Sequence, residues 1–197
     1  MILTHHIIFT AYGFWLPNDP RGSWSEYIKA WELIRFGVPK QVNTPHSVAG
    51  RPHNHALRFS AKQALRYPPV HFNGVQARAI AHGFRSTIQR SGFTFHACAI
   101  LPDHVHVVVA RHRIHARQIL NQMKGEASKA LAEENIHPFQ NAFLPGGDRH
   151  TPWAAKGWTV FLNTPEEVHA AIQYVNNNPL KENLPAQSWS FIQPYTF

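Results

Sequence analysis

Cysteine is nearly absent. Cys98 is the single one in 197 residues, so no disulfide can close within the chain, and a reducing compartment suits it. Acidic residues are scarce too: 11 Asp and Glu against 19 Lys and Arg give a formal net charge of +8 with histidine neutral. That imbalance favours polyanionic partners, although solubility alone would also account for a positive charge. No apolar run reaches the roughly 18 residues of a membrane span. The opening Met1-Ile-Leu-Thr-His-His-Ile-Ile-Phe-Thr lacks the basic start and long apolar centre of a signal peptide and reads as a strand. A cytoplasmic protein without a membrane partner is the expectation. Charged residues make up 15% and hydrophobic ones 44%, which excludes a disordered chain and fits one domain with its own core. Histidine, by contrast, is abundant at 15. It ligates metals, moves protons and stacks on bases, so position must decide which copies matter.

Hydrophobic periodicity divides the chain. A strand over about 2–10 is followed by a stretch from Gly13 to about Pro69 rich in Pro, Asn, Gly and His. Within it, only Glu26–Phe36 is amphipathic, stopped by Gly37 and Pro39. A loop-rich stretch of that length is commonly functional. A helix fits 74–90, with Val75, Ile80, Phe84 and Ile88 on one face and Gly92 at its end. Two strands, about 93–101 and 104–110, flank a Pro102-Asp103 turn. A second helix fits 116–134, with Ile119, Met123, Ala127, Ala130 and Leu131 in phase, and a strand fits 157–162. The final helix has the clearest start: Thr164 as N-cap, Pro165 at its first position and Glu167 completing a capping box. It is expected to stop near Asn178, before Pro179. The order predicts an α+β protein. Its core is a ferredoxin-like βαββαβ antiparallel sheet, with an added C-terminal helix and a loop-rich N-terminal insertion over about 13–69 of a single domain.

Two patterns carry chemistry. In Asp103-His104-Val105-His106-Val107-Val108-Val109, strand alternation puts both histidines on one face and Val105, Val107 and Val109 on the other. Two imidazoles so placed can converge on a divalent metal; equally, they can be polar residues on the wet side of a sheet. In the last helix, Val168, Ala171, Ile172 and Val175 form the buried stripe, and Tyr174 and Asn178 lie four apart on one flank. Such a tyrosine is commonly packing. Alternatively its phenolate attacks a phosphodiester and stores the bond energy as phosphotyrosine, beside a metal that stabilises charge on oxygen. Asn178 would then add a neutral oxygen ligand and leave coordination positions open for phosphate.

The strand Pro-Asp-His104-Val-His106, followed by a helix with Tyr174-Val-Asn-Asn-Asn178-Pro179-Leu-Lys, resembles the HUH single-tyrosine transposases, and most of all the bacterial REP-associated tyrosine transposases. Ala11-Tyr12-Gly13, Met123-Lys124-Gly125 with Ser128, Trp153, Gly157 and Trp189-Ser190 extend the resemblance over about 1–15 and 72–190. It implies a metal-dependent single-stranded DNA endonuclease and strand transferase in a bacterial cytoplasm, acting through a covalent 5′-phosphotyrosine at hairpin-containing DNA. On this reading Tyr174 is the nucleophile, His104, His106 and Asn178 are the metal ligands, and the cofactor is Mg²⁺ or Mn²⁺. A homodimer is one assembly the resemblance allows. The 13–69 stretch departs from most of the family.

Basic and aromatic residues suggest where DNA would lie. Arg111, Arg113, Arg117, Lys124 and Lys129 follow the histidine strand, and Arg149 and Lys156 precede the last strand. Phosphate contacts from such residues give salt-dependent affinity. Lys124, Arg149 and Lys156 fall nearest the motifs. Trp15 and Trp24 with Arg21 can stack on unpaired bases or cap the sheet edge. Two other classes remain: a non-cleaving hairpin DNA- or RNA-binding descendant, and a zinc hydrolase on His104 and His106. The hydrolase lacks a third histidine, cysteine or carboxylate at matching spacing.

Overall fold

The computed structural model describes residues 1–14, 16, 19–20, 31–37 and 51–196. Four strands form one sheet: β1 (Thr4–Ala11), β2 (Phe95–Ile100), β3 (His104–Ala110) and β4 (Trp153–Leu162). Their spatial order is β2-β3-β1-β4, and every neighbouring pair is antiparallel. The helices are α1 (His55–Gln63), α2 (Gly74–Ser91), α3 (Ala116–Glu133) and α4 (Pro165–Lys181). β1-α2-β2-β3-α3-β4 is thus the ferredoxin-like core, and α4 is the C-terminal addition.

Each face of the sheet is set by alternation. Ile7 and Phe9 of β1 and Val105, Val107 and Val109 of β3 pack with Ile80 and Phe84 of α2 and Ile119, Met123 and Leu131 of α3. Two glycines let these layers approach: a Cβ on Gly83 would meet the α3 main chain at Glu126 and Ala127, and one on Gly157 would meet the Ile8 carbonyl and Leu120. On the opposite face, Ala97, Ala99 and Val108 meet Val168, Ala171 and Val175 of α4. The capping box of Thr164 and Glu167 forms as expected.

The structure departs from the sequence reading at four places. α4 continues through Pro179 to Lys181. The proline falls in the last turn, where only one main-chain bond is lost, and the Glu182 N–H closes the end on the Asn178 and Pro179 carbonyls. β4 begins at Trp153 rather than 157, across a register shift opposite Phe9 and Ala11. Val75 is 51% exposed, so α2 buries Ala79, Ile80, Gly83, Phe84 and Thr87 instead of a stripe through Val75. The described parts of the 13–69 stretch hold more regular structure than its composition suggests, and residues 26–30 of the amphipathic piece lie outside the described residues. Trp31–Phe36 is a 3-10 helix, and α1 starts on an Asn54 cap that sequence reading passed over. Leu16, Leu33, Phe36 and Ala61 form a small core there, and buried Asp19 pairs with Arg58 at 3.0 Å.

The residues after α4 close the β2 edge. The Gln187 amide donates to the Ile100 carbonyl and accepts from its N–H at 2.7 and 2.8 Å, and the Trp189 indole donates to the Cys98 carbonyl. An unpaired edge would otherwise present free main-chain groups to other chains. No helix among the described residues is long and apolar enough to cross a membrane.

Candidate functional site

Two adjacent strands and one helix assemble the site. Because Ile7 and Phe9 point at α2 and α3, alternation turns His6, Ile8 and Thr10 to the face that holds His104 and His106. The antiparallel register sets Thr10 opposite His104 and Ile8 opposite His106. α4 crosses this face with Val168, Ala171 and Val175 buried, and its flank delivers Tyr174 and Asn178.

The histidines are held by their Nδ1 atoms. His106 Nδ1 lies 2.9 Å from His6 Nε2, and His104 Nδ1 lies 2.7 Å from the Asp103 carboxylate. The His104 ring also stacks flat on Phe14, 5.6 Å between centroids and 5° between planes. His6 and His106 are both buried. Burial holds His6 down at about 4. Burial, then the neighbouring charges of His104, His6 and Lys181, holds His106 well below the usual imidazole range. Both rings are neutral at neutral pH. With the shared proton on His106 Nδ1, its Nε2 keeps a free lone pair; the Asp103 carboxylate fixes the same tautomer on His104.

Tyr174 stands edge-on to this pair, its ring centroid 5.5 Å from His106 and 6.0 Å from His6. It is 41% exposed, so a substrate can reach it. Burial and the charge of Glu182 raise its phenol pKa, and the neighbouring Asn178 side chain pulls it back. The Lys181 ammonium lies 4.6 Å from the tyrosine ring centre. Asn178 is buried, and its Nδ2 has no hydrogen-bond partner among the described residues; neither has Thr10 Oγ1 on the same face.

These donors suit a divalent cation. Imidazoles oriented through Nδ1 are ready-made ligands, and the Asn178 carboxamide beside them carries an oxygen of the kind a divalent cation takes. Among the described residues no three His, Cys, Asp or Glu are placed to hold a metal, so a third protein donor would have to be an amide or hydroxyl. His6 does not fill that role, because its Nε2 is engaged with His106.

The cations named from sequence have different surroundings. Lys124 is buried, and its amine donates to the Ala154 and Lys156 carbonyls at 2.6 and 3.0 Å. This corrects its reading as a phosphate contact, since the amine clasps α3 to β4. The Trp153 indole completes the clasp on the Lys124 carbonyl and the Ser128 hydroxyl. Burial lowers the Lys124 pKa to about 7. Arg149 is half-buried, its guanidinium 5.6 Å from the Phe143 ring centre, in the loop before β4. Lys156 lies on β4, half-buried within the register shift between Trp153 and Gly157. Trp15, Arg21 and Trp24 lie outside the described residues. Sequence reading missed His6, Thr10 and Asp103. The alternation of Ile7 and Phe9 against His6, Ile8 and Thr10 was the available signal for the first two.

No family model matches the chain, and no curated protein matches it. Solved structures similar to it include a REP-associated tyrosine transposase bound to a REP hairpin, at 11% identity and TM-score 0.48 over 96% of this chain and 74% of that one. Another is a candidate transposase from Deinococcus radiodurans R1, at 14% identity and TM-score 0.41 over 95% of this chain and 94% of that one. Likeness at this level bears on neither substrate nor chemistry.

Proposed function

We propose that the chain is a metal-dependent endonuclease and strand transferase for single-stranded DNA, with Tyr174 as nucleophile. The observation that carries the proposal is the half-exposed Tyr174 ring set against the buried His6–His106 pair on the α4 face of the sheet. Packing alone would not need two buried, neutral, hydrogen-bonded imidazoles beneath a reachable phenol. The residues that hold the cation are His104 and His106 through Nε2, with the Asn178 amide. Mg²⁺ or Mn²⁺ bound there would polarise the scissile phosphate and stabilise charge on its oxygens.

The chain's own residues do the rest. Tyr174 Oη forms a bond to phosphorus, the bond from phosphorus to the 3′-oxygen breaks, and that oxygen leaves as a free 3′-hydroxyl. The 5′-phosphotyrosine keeps the bond energy for the reverse step, in which a 3′-hydroxyl displaces the tyrosine and rejoins a strand. Lys181 supplies positive charge beside the developing phenolate. Asp103 and His6 position the metal-binding imidazoles.

The test mixes the protein with labelled single-stranded DNA hairpins from the flanks of its gene, in Mg²⁺ or Mn²⁺, and runs denaturing gels. A covalent band lost with Tyr174→Phe and with EDTA supports the proposal. Tight binding without any band would instead mean a non-cleaving hairpin-binding protein.

A further inference from the structure

A second recess lies on the other face of the sheet, where the Thr4 end of β1 meets the start of α3. Arg111, Arg113 and Arg117 line it, together with His5 and Phe161. All three arginines are exposed, and among the described residues none makes an ion pair. No acidic residue lies in the first turn of α3, and its N-cap, His115, makes no side-chain bond to the helix. The Gln118 and Ile119 N–H groups bond back to His115, which leaves those of Ala116 and Arg117 at the positive end of the helix dipole.

His5 supplies an independent observation. It is only 7% exposed and lines this recess, and its Nδ1 is buried without a hydrogen-bond partner among the described residues. A buried ring nitrogen is normally satisfied. The charged neighbour of the His5 ring is Arg111. Phe161, on the outer strand β4, is 53% exposed and meets the His5 ring edge-on at 5.5 Å. Three cations, a free helix start, an orphaned imidazole nitrogen and an open aromatic face match a phosphodiester with a base beside it.

We infer that this recess is a second, non-cleaving site that seats a backbone phosphate of a nucleic-acid strand, with the adjoining base on Phe161. It shares with the proposed function only the class of partner. Because α2 and α3 cover the His5 face and α4 crosses the Tyr174 face, a strand held here is anchored away from the nucleophile. Such an anchor adds affinity without occupying the reacting centre.

The experiment measures fluorescence anisotropy of labelled oligothymidylate in EDTA across a salt series. It uses the full chain, Arg113→Ala/Arg117→Ala and Phe161→Ala, with circular dichroism melts to confirm folding. Losing the contacts to the one seated phosphate should lower the slope of log affinity against log salt by about 0.7. Phe161→Ala should weaken binding about tenfold with little change in slope. An unchanged slope and affinity in the double arginine variant overturns the inference. So does a shift of the His5 imidazole resonance by inorganic phosphate combined with an unchanged DNA slope, since the recess would then take free phosphate only. A covalent band with an unchanged slope removes the anchor and leaves the strand transferase. A lowered slope with no covalent band does the reverse.

Discussion

The two faces of one sheet share their strands and differ in almost everything else. The face under α2 and α3 is lined along β1 and β3 by Ile7, Phe9, Val105, Val107 and Val109, each fully buried. The face under α4 alternates with it residue by residue, yet carries His6, Thr10, His104 and His106. α4 lies mainly over β2 and β3, reaches Leu162 of β4, and leaves Tyr174 half-exposed at its margin. The sealed face gives rigidity, and the part-covered face uses it: imidazoles on the two central strands cannot drift when their backbones are packed from behind.

Substitution should separate the faces sharply. The largest effect expected is loss of covalent product in Tyr174→Phe, at least about a thousandfold in a single-turnover assay. Stability should change within about 0.5 kcal/mol in urea, because a half-exposed hydroxyl contributes little to folding. Phe9→Ala should do the opposite. It removes a buried ring that meets both Phe84 and Trp153 edge-on, and should cost about 3–5 kcal/mol in the same titration. If Phe9→Ala were harmless to stability, or Tyr174→Phe cost as much as it, the division of labour would be wrong.

A finer cut lies within the open face. His6→Phe keeps an aromatic ring but removes the partner of His106 Nδ1. Isothermal titration with Mn²⁺ should show affinity falling about 10–100-fold, and extra Mn²⁺ should restore adduct formation. Asp103→Asn should act in the same direction through His104. Wild-type Mn²⁺ affinity in both variants would mean that the two histidines are not metal ligands.

What the sequence could disclose follows the same division. Elements with strong local signals were readable: the capping box at Thr164, the αL glycine Gly92 after α2, and the His-Val alternation of β3. Tyr174 and Asn178 were readable as one flank of a helix, because four-residue spacing fixes their side. His6 was not, since its role depends on which strand pairs with β3 and in which register, and neither is written locally. Lys124 misled for a related reason. Charge and proximity to a motif suggested DNA, but only the tertiary approach of α3 to β4 turns its amine toward two carbonyls. α1 hid in a stretch whose Pro and Asn content reads as loop, and its small core needs Leu16, Leu33 and Phe36 from distant positions.

The smallest effect tests the clasp that sits between the faces. Burial places Lys124 near 7 in the folded protein, against 10.5 for the free side chain. Between those values the unfolded chain binds a proton that the folded chain does not, so stability rises with pH across that window. The rise is at most about 1.4 kcal/mol per pH unit, and it flattens below about pH 7, where both states are protonated. Lys124→Met should abolish that rise. The variant should also be less stable at about pH 9, where it leaves the Ala154 and Lys156 carbonyls without their donor at a cost of roughly 1–3 kcal/mol. The deficit should shrink at about pH 6, where the parent must keep a charged amine buried. A deficit that does not depend on pH would mean that Lys124 stays charged in the clasp, held by the two carbonyls strongly enough to offset its burial.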